Sequence, residues 1–444
     1  VSLSGSATDD GLPTGSALSY AWTIVSGPQG AGAGVTFSAP TAAATSARFV
    51  GGPGDYLLQL AASDGALTGT SQIHVTVNHN PNIYPAATSA AGGGWISVTP
   101  DAEQMSVTLL DQARDYSLTA GVGNTSNGSG YIIRHGHLVY SWGSSTAPYE
   151  LKSTTKSAGG LALLLALDEG KLALTDSAAS KLPILGTDPP VDTSNVAGGG
   201  SLSDITVLQL ATHTSGLSKS DAATPTPRAL LYKPGSTWSY SDQGLNTLAD
   251  VLTQTYAQDL NALMFSRIYT TLGIGTTDLQ WRDNFYRTPT ITVNGAQVKR
   301  RELGSGITAN VEAMARIGLL MLRRGVWGDQ LLLSNAIVDK VHVPPAEVAS
   351  ATIADPTNYP GAVTNYGILW WTNTTGQMTT VPKDAYWAWG LYESFIIVIP
   401  SLDLVVVRLP NATAGWHTDS ASTWNADYSL LEKFIGPIAQ SVSH

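Results

Sequence analysis

The hydrophobic period of this chain changes once, and that change limits its fold more than any single residue does. Up to residue 79 apolar side chains recur at every second position in short runs, "LSYAWTIVSG", "GVTFSAP", "TSARFV", "DYLLQLAASDG" and "SQIHVTVN", divided by Gly, Pro and Asp turns. Alternation of this kind marks strands buried on one face, and several in succession predict an all-β sandwich. Only five Asp, Glu, Lys or Arg residues lie in this stretch. "NHNPNIYPAATSAAGGGW" follows, with the Pro, Ala, Ser and Gly content of a linker across 80–94.

From Trp95 the period lengthens. "DAEQMSVTLLDQARDYSL" reads as a helix and "GYIIRHGHLVYSWGS" as a hairpin with a His-Gly turn. The long middle, roughly 157–324, is mostly helical in pattern; strands return at "NYGILWWTNT" and "AYWAWGLYESFIIVIPSLDLVVVRLP", and "ADYSLLEKFIGPIAQSV" closes as a helix. The order β, long α insertion, β, α predicts one antiparallel sheet completed by both ends, with a helical subdomain inserted. The expected organisation is multidomain: an all-β Ig-like sandwich over 1–79, a linker over 80–94, and an α/β domain over 95–444. A length of 444 residues agrees with more than one core.

The formal charge of −10, with no cluster of Lys and Arg, argues against nucleic acid and against anionic membrane surfaces. The apolar run Leu161–Leu167 is far shorter than the ~20 residues of a membrane span. Without cysteine there are no disulfides, thiolate catalysis or Cys-bound metal. The one close histidine pair, His135 and His137, faces one side of a hairpin near a turn by strand spacing, and no metal and no cofactor is expected. A removed leader and a trimmed start would each account for an opening Val1 without methionine.

Of the ten lysines only Lys156 follows a serine at three positions, in "ELKSTTKSAGGLALLLALDEGKL". That spacing puts the Ser153 hydroxyl and the Lys156 amine on one helix face. A capping serine ahead of a solvated lysine is the plain reading. The small apolar run after Lys156 instead predicts a helix entering the core, where burial favours the neutral amine and makes it a usable base. The start of such a helix also offers unpaired N–H groups to an oxyanion.

These residues carry a family resemblance. "STTKS", "LQLATHTSGL", "KPGSTWSYSDQGLNTLADVL", "GSGITANVEAMARIGLLMLRRGVWGDQLLLS" and "AWGLYESFIIVIPSLDLVVVRL" occur in the order found in serine β-lactamases and penicillin-binding proteins. The chain resembles the class C-like branch, with its carboxylesterases, D-amino-acid peptidases and 6-aminohexanoate-dimer hydrolases, over about residues 102–438. The resemblance implies Ser153 as acylated nucleophile, Lys156 as its proton acceptor or electrostatic activator, and Tyr240 as the second acid/base. It implies an oxyanion site of the Ser153 and Tyr392 N–H groups, with Asp242, Trp389, Gly390 and Leu391 lining the substrate. His213 in "ATHTSGL" is expected to be structural, because no Gly-x-Ser-x-Gly elbow exists to give it a triad. Asp278, Asp283 and Glu302 read as solvated loop residues, and the Asn-x-Ser/Thr sites at Asn124, Asn127, Asn373 and Asn411 carry little information.

Two departures matter. Asp242 stands where the family usually has asparagine, and its charge would favour the protonated forms of Lys156 and Tyr240. Trp389 stands where β-lactam-recognising members place a cation for the substrate carboxylate. Trp-Gly is similar to the esterase members, which implies a carboxylic ester substrate, with a small amide or oligoamide as the alternative and an inert binding protein as the rival. Residues 1–79 resemble the PKD/Ig-like modules of secreted bacterial enzymes. That likeness implies a secreted or periplasmic location and a polymer or cell-surface contact through the module.

Overall fold

The computed structural model describes residues 1–27, 31–32, 34–49, 54–77, 83–87, 93–119, 128–183, 185, 196, 199–219, 230–410 and 427–442. The chain divides into two compact units, Val1–Pro81 and Asn82–Ser443. In the first, two three-stranded antiparallel sheets enclose one small core. Strands Ser2–Ser4, Ala44–Phe49 and Val35–Phe37 form one sheet; Ser19–Ser26, Gly54–Ser63 and Thr68–Val77 form the other. Tyr56, Leu58 and Leu60, at alternate positions of one strand, meet Leu3, Trp22 and Ala47 inside, as period two requires.

The second unit is built on a six-stranded antiparallel sheet. Its order is Trp371–Thr372, Tyr386–Gly390, Ser394–Ile399, Leu404–Leu409, Ser129–Arg134 and His137–Trp142. Both ends of the unit therefore lie in one sheet, as the order of elements predicts. The run "FIIVI" is apolar throughout because both faces are covered: Ile396 and Val398 join one core with Val311, Ala315 and Leu319, while Phe395, Ile397 and Ile399 join a second with Leu110, Phe434 and Ile435. Helix Val311–Leu322 lies so close that a Cβ at Gly318 would stand 2.5 Å from Val405. The His-Gly turn forms as expected, with both His135 and Gly136 at positive φ.

The middle is helical with interruptions that periodicity does not reveal. The long run from residue 242 breaks at Ala257, which turns left-handed, and resumes at Leu260 behind an Asp259 cap. Three short strands, Leu279–Trp281, Ile307–Ala309 and Tyr149–Glu150, form a small sheet there. Strands of two or three residues leave no periodic signal in a sequence.

The described part of the expected linker is packed on the second unit. Tyr84 lies 5.0 Å from the Trp327 ring, and the Arg316 guanidinium holds the carbonyls of Ala86, at 2.8 Å, and Gly93. Trp95 donates its indole N–H to Glu312 at 2.7 Å while Tyr131 donates to the other oxygen at 2.6 Å. Burial raises the Glu312 carboxyl above the usual range, and the two hydrogen bonds oppose that shift. Trp95→Phe strips one donor from a buried acceptor, and an unsatisfied group of this kind costs about 1–3 kcal/mol; urea unfolding is expected to show that loss. A chain beginning at Asn82 keeps these contacts and is expected to unfold at an unchanged midpoint, whereas one beginning at Ile96 unfolds earlier.

Candidate active site

Ser153 lies in a short 3-10 turn, Lys152–Thr154, that runs into helix Thr155–Asp168. It does not cap that helix, which has no side-chain cap. The two threonines between Ser153 and Lys156 fasten the turn on both sides. Thr154 donates to the Ser394 carbonyl at 2.7 Å, and Thr155 accepts from the Ile307 N–H at 3.0 Å. Ser394 in turn donates to Leu151 O at 2.6 Å. The Ser153 turn is thereby tied to the large sheet and to the small one.

Lys156 is 2% exposed. Its ammonium donates to Ser153 Oγ at 3.0 Å, to Asp242 Oδ1 at 2.5 Å and to Gly304 O at 2.7 Å. Asp242 opens helix Asp242–Tyr256, behind a Ser241 cap whose Oγ accepts from the Gly244 N–H at 2.8 Å. A carboxylate in a helix's first turn is favoured by the dipole. Gly304 was not visible as a site residue in the sequence. Its N–H and that of Leu303 are held at 3.2 and 2.9 Å by Oδ1 of buried Asn246, one turn along from Asp242.

Tyr240 follows the strand Thr237–Trp238 and is 8% exposed. Its phenol is pushed well above its ordinary value, first by burial and then by the Asp242 carboxylate; a hydrogen bond with Ser153 opposes both. Lys156 Nζ lies 4.8 Å from the centre of the Tyr240 ring. His213, expected to be structural, is buried beside this cluster: its Nδ1 accepts from the Ser241 N–H at 3.0 Å and its ring stacks on Tyr240 at 4.4 Å. Burial, helped by the Lys156 charge, holds its imidazole well below the ordinary value, so it is neutral.

The strand end facing this cluster requires glycine. A Cβ on Gly390 would stand 2.3 Å from Leu151 O and 2.9 Å from the Thr154 nitrogen. Leu391 is partly exposed, and Tyr392 and Glu393 both adopt positive φ, 65° and 59°. Trp389 is 3% exposed and rests its ring against Trp371, Trp387, Phe395 and Tyr428, so the indole belongs chiefly to the core.

Glu302 departs from its reading as a solvated loop residue. It is 1% exposed, takes a two-pronged bond from Arg282 at 2.7 and 3.0 Å, and accepts from Ser305 at 2.5 Å. Asp278 accepts from Asn310 at 2.9 Å, and Asp283 pairs with Arg301 at 2.8 Å. His135 and His137 both turn Nδ1 to Glu103, and no group of three metal-binding side chains occurs among the described residues. Asn373 is buried with its amide on Met378 O and Val381 O, while Asn124, Asn127 and Asn411 lie outside the described residues.

The cluster thus brings together a buried lysine, a serine three residues earlier and a phenol on the same hydroxyl. Residues 123–428 match the Beta-lactamase family model, and the chain belongs to that family. A penicillin-binding-protein homologue from Caulobacter crescentus has the same fold, with a TM-score of 0.55 at 15% identity over 76% of this chain and 98% of its own. A Bacillus anthracis protein assigned as a 6-aminohexanoate-dimer hydrolase gives 0.54 at 16% over 82% and 89%. EstCE1, a hydrolase with promiscuous acyltransferase activity, gives 0.50 at 17% over 76% and 97%.

Asp242→Asn tests the electrostatics of the cluster. It removes the second cause of the raised Tyr240 phenol and leaves burial, so the phenol should ionise at lower pH yet still above its ordinary ~10. The rate at which a fluorophosphonate modifies Ser153, followed from about pH 7 to 11, should show its alkaline limb moving down in Asp242→Asn and disappearing in Tyr240→Phe. An unmoved limb counts against the coupling.

Proposed function

We propose that the protein is a serine hydrolase that acts through a Ser153 acyl-enzyme, and that its substrates are small carboxylic esters. The observation that carries this reading is the set of partners around Lys156. Two of its three acceptors, the Asp242 carboxylate and the Gly304 carbonyl, have no proton to give. When the ammonium loses a proton, its lone pair can therefore face only the Ser153 hydroxyl, which is the geometry of a general base.

In this mechanism Ser153 Oγ bonds to the acyl carbon, its proton passes to Lys156 Nζ, and the carbonyl oxygen becomes an oxyanion facing the N–H groups of Ser153 and Tyr392. Collapse breaks the bond to the alcohol oxygen, which takes the Tyr240 proton; Lys156 returns a proton to Tyr240. Water then repeats the sequence on the acyl-enzyme and releases the acid. Burial keeps Tyr240 protonated and so suits it to the donor role.

Trp389 supports the ester reading. At the strand position where a cation would hold a substrate carboxylate, an indole is packed among four aromatic rings. Amide hydrolysis is the second reading, supported by the fold shared with the protein assigned as a 6-aminohexanoate-dimer hydrolase. A secreted or periplasmic location and a surface-binding role for residues 1–79 belong to the same proposal. No described helix is long and apolar enough to cross a membrane.

A panel of p-nitrophenyl esters, nitrocefin, D-amino-acid amides and aminohexanoate oligomers tests the assignment. Short esters should turn over fastest, nitrocefin not detectably, and Ser153→Ala should lower ester turnover by at least ~10⁴-fold. Melting temperature should fall only modestly, because the serine is partly buried but supplies one of the three acceptors of Lys156. Turnover or labelling that persists in Ser153→Ala would overturn the nucleophile, and faster amide cleavage would favour the second reading.

A further inference from the structure

A buried cation that the mechanism leaves unused sits against the turn that carries the Tyr392 N–H. Arg408, in the strand Leu404–Leu409, is 3% exposed. Its Nη1 donates to the carbonyls of Tyr392 at 2.9 Å and Glu393 at 2.7 Å, and its Nη2 to Ser117 O at 2.8 Å. Burial lowers the guanidinium to about 10, against the opposing charges of Glu393 and Tyr116, so it stays charged at neutral pH.

The turn needs such a partner. Glu393 N–H closes it on Gly390 O at 2.9 Å, but both Tyr392 and Glu393 are non-glycine residues in the left-handed region. Two successive residues of this kind persist only where their surroundings fix them. On the N-terminal side the fixing agent is the close approach of Gly390 to Leu151 and Thr154. On the C-terminal side Ser394 is bonded to Thr154 and Leu151. Between them, the peptides that follow Tyr392 and Glu393 are held by Arg408. A donor serves a developing oxyanion only if its direction is set before the reaction.

We propose that Arg408 is a positioning residue for the oxyanion site: by holding the Tyr392 and Glu393 carbonyls it keeps the Tyr392 N–H aimed at the acyl oxygen of the Ser153 adduct. This rests on the serine-hydrolase reading. Arg408 touches no reacting atom, and its effect is confined to the step in which charge develops. Its loss should lower kcat and leave KM nearly unchanged.

Arg408→Lys keeps the charge without the fork, and Arg408→Gln keeps a neutral donor. In the full chain each should lower kcat on a p-nitrophenyl ester by about 10²-fold, as the loss of one oxyanion donor does, with KM within a few-fold. An alkylboronic acid, which forms a tetrahedral anion on the serine, should bind more weakly by the factor lost in kcat/KM, while the carboxylic acid product binds as before. A folded Arg408→Lys protein with unchanged kcat/KM and boronate affinity overturns the proposal. Failure of both variants to fold overturns it too, since the arginine is then a scaffold residue. If wild-type protein is not modified at Ser153 by a fluorophosphonate, the serine-hydrolase reading itself has failed, and the role of Arg408 falls with it.

Discussion

The buried Lys156 ammonium is the contact on which the site in the second unit depends. An ammonium removed from water is costly unless every proton is bonded and an opposite charge lies close. Lys156 meets both needs with partners from different parts of the chain: Ser153 from the turn before its own helix, Asp242 from the next long helix, and Gly304 from a loop held by the Asn246 side chain and by the Trp281 indole on Glu302 O. Breaking any of these contacts leaves a buried cation short of an acceptor. The inserted helical region is thereby locked to the sheet at the point where chemistry is expected.

The large sheet supplies the other wall, and its rigidity follows from burial on both faces. Alternate residues of Ser394–Ile399 belong to different cores, so a slip of one residue would exchange two packed sets. That strand begins at Ser394, which is bonded to the Ser153 turn. A register fixed by packing far from the site therefore places the Gly390–Glu393 turn relative to Ser153. Gly390 marks how little room remains, because any side chain there would collide with the backbone on either side of Ser153.

Much of this was legible in the sequence, for identifiable reasons. Strands and long helices announce themselves through period, so the sheet formed from both ends of the second unit and the His-Gly hairpin turn followed from the pattern. The meeting of Ser153 with Lys156 followed from i,i+3 spacing on one helix. Contacts set by tertiary approach left no trace. Gly304 acts through a backbone carbonyl, which every residue has, and Glu302 looked like a loop acid until Arg282 was found across it. Residues 83–87 and 93–94 have the composition of a linker, yet Arg316 and Glu312 bind the strap through its carbonyls and an adjacent indole. Composition reports what side chains favour, not which backbone groups a buried arginine will seek.

The choice of aspartate over asparagine at residue 242 shows how one atom can redirect such a site. An asparagine oxygen could accept from Lys156 as Asp242 Oδ1 does, while its NH2 would remain to donate toward a substrate carbonyl. Aspartate keeps the first bond and strengthens it with charge, but its second oxygen can only accept. A substrate placed there must bring a donor or nothing polar at all, and an acyl group whose carbonyl needs a donor at that point is disfavoured. The same charge helps keep the Tyr240 phenol protonated, which suits protonation of a departing oxygen more than abstraction of a proton. Under the proposed ester reading both consequences act together, since a departing alkoxide, though a weaker base than the nitrogen anion of an amide, is protonated as it leaves. Trp389 bears on the same choice only by placing no cation at its position, since its indole is packed in the core.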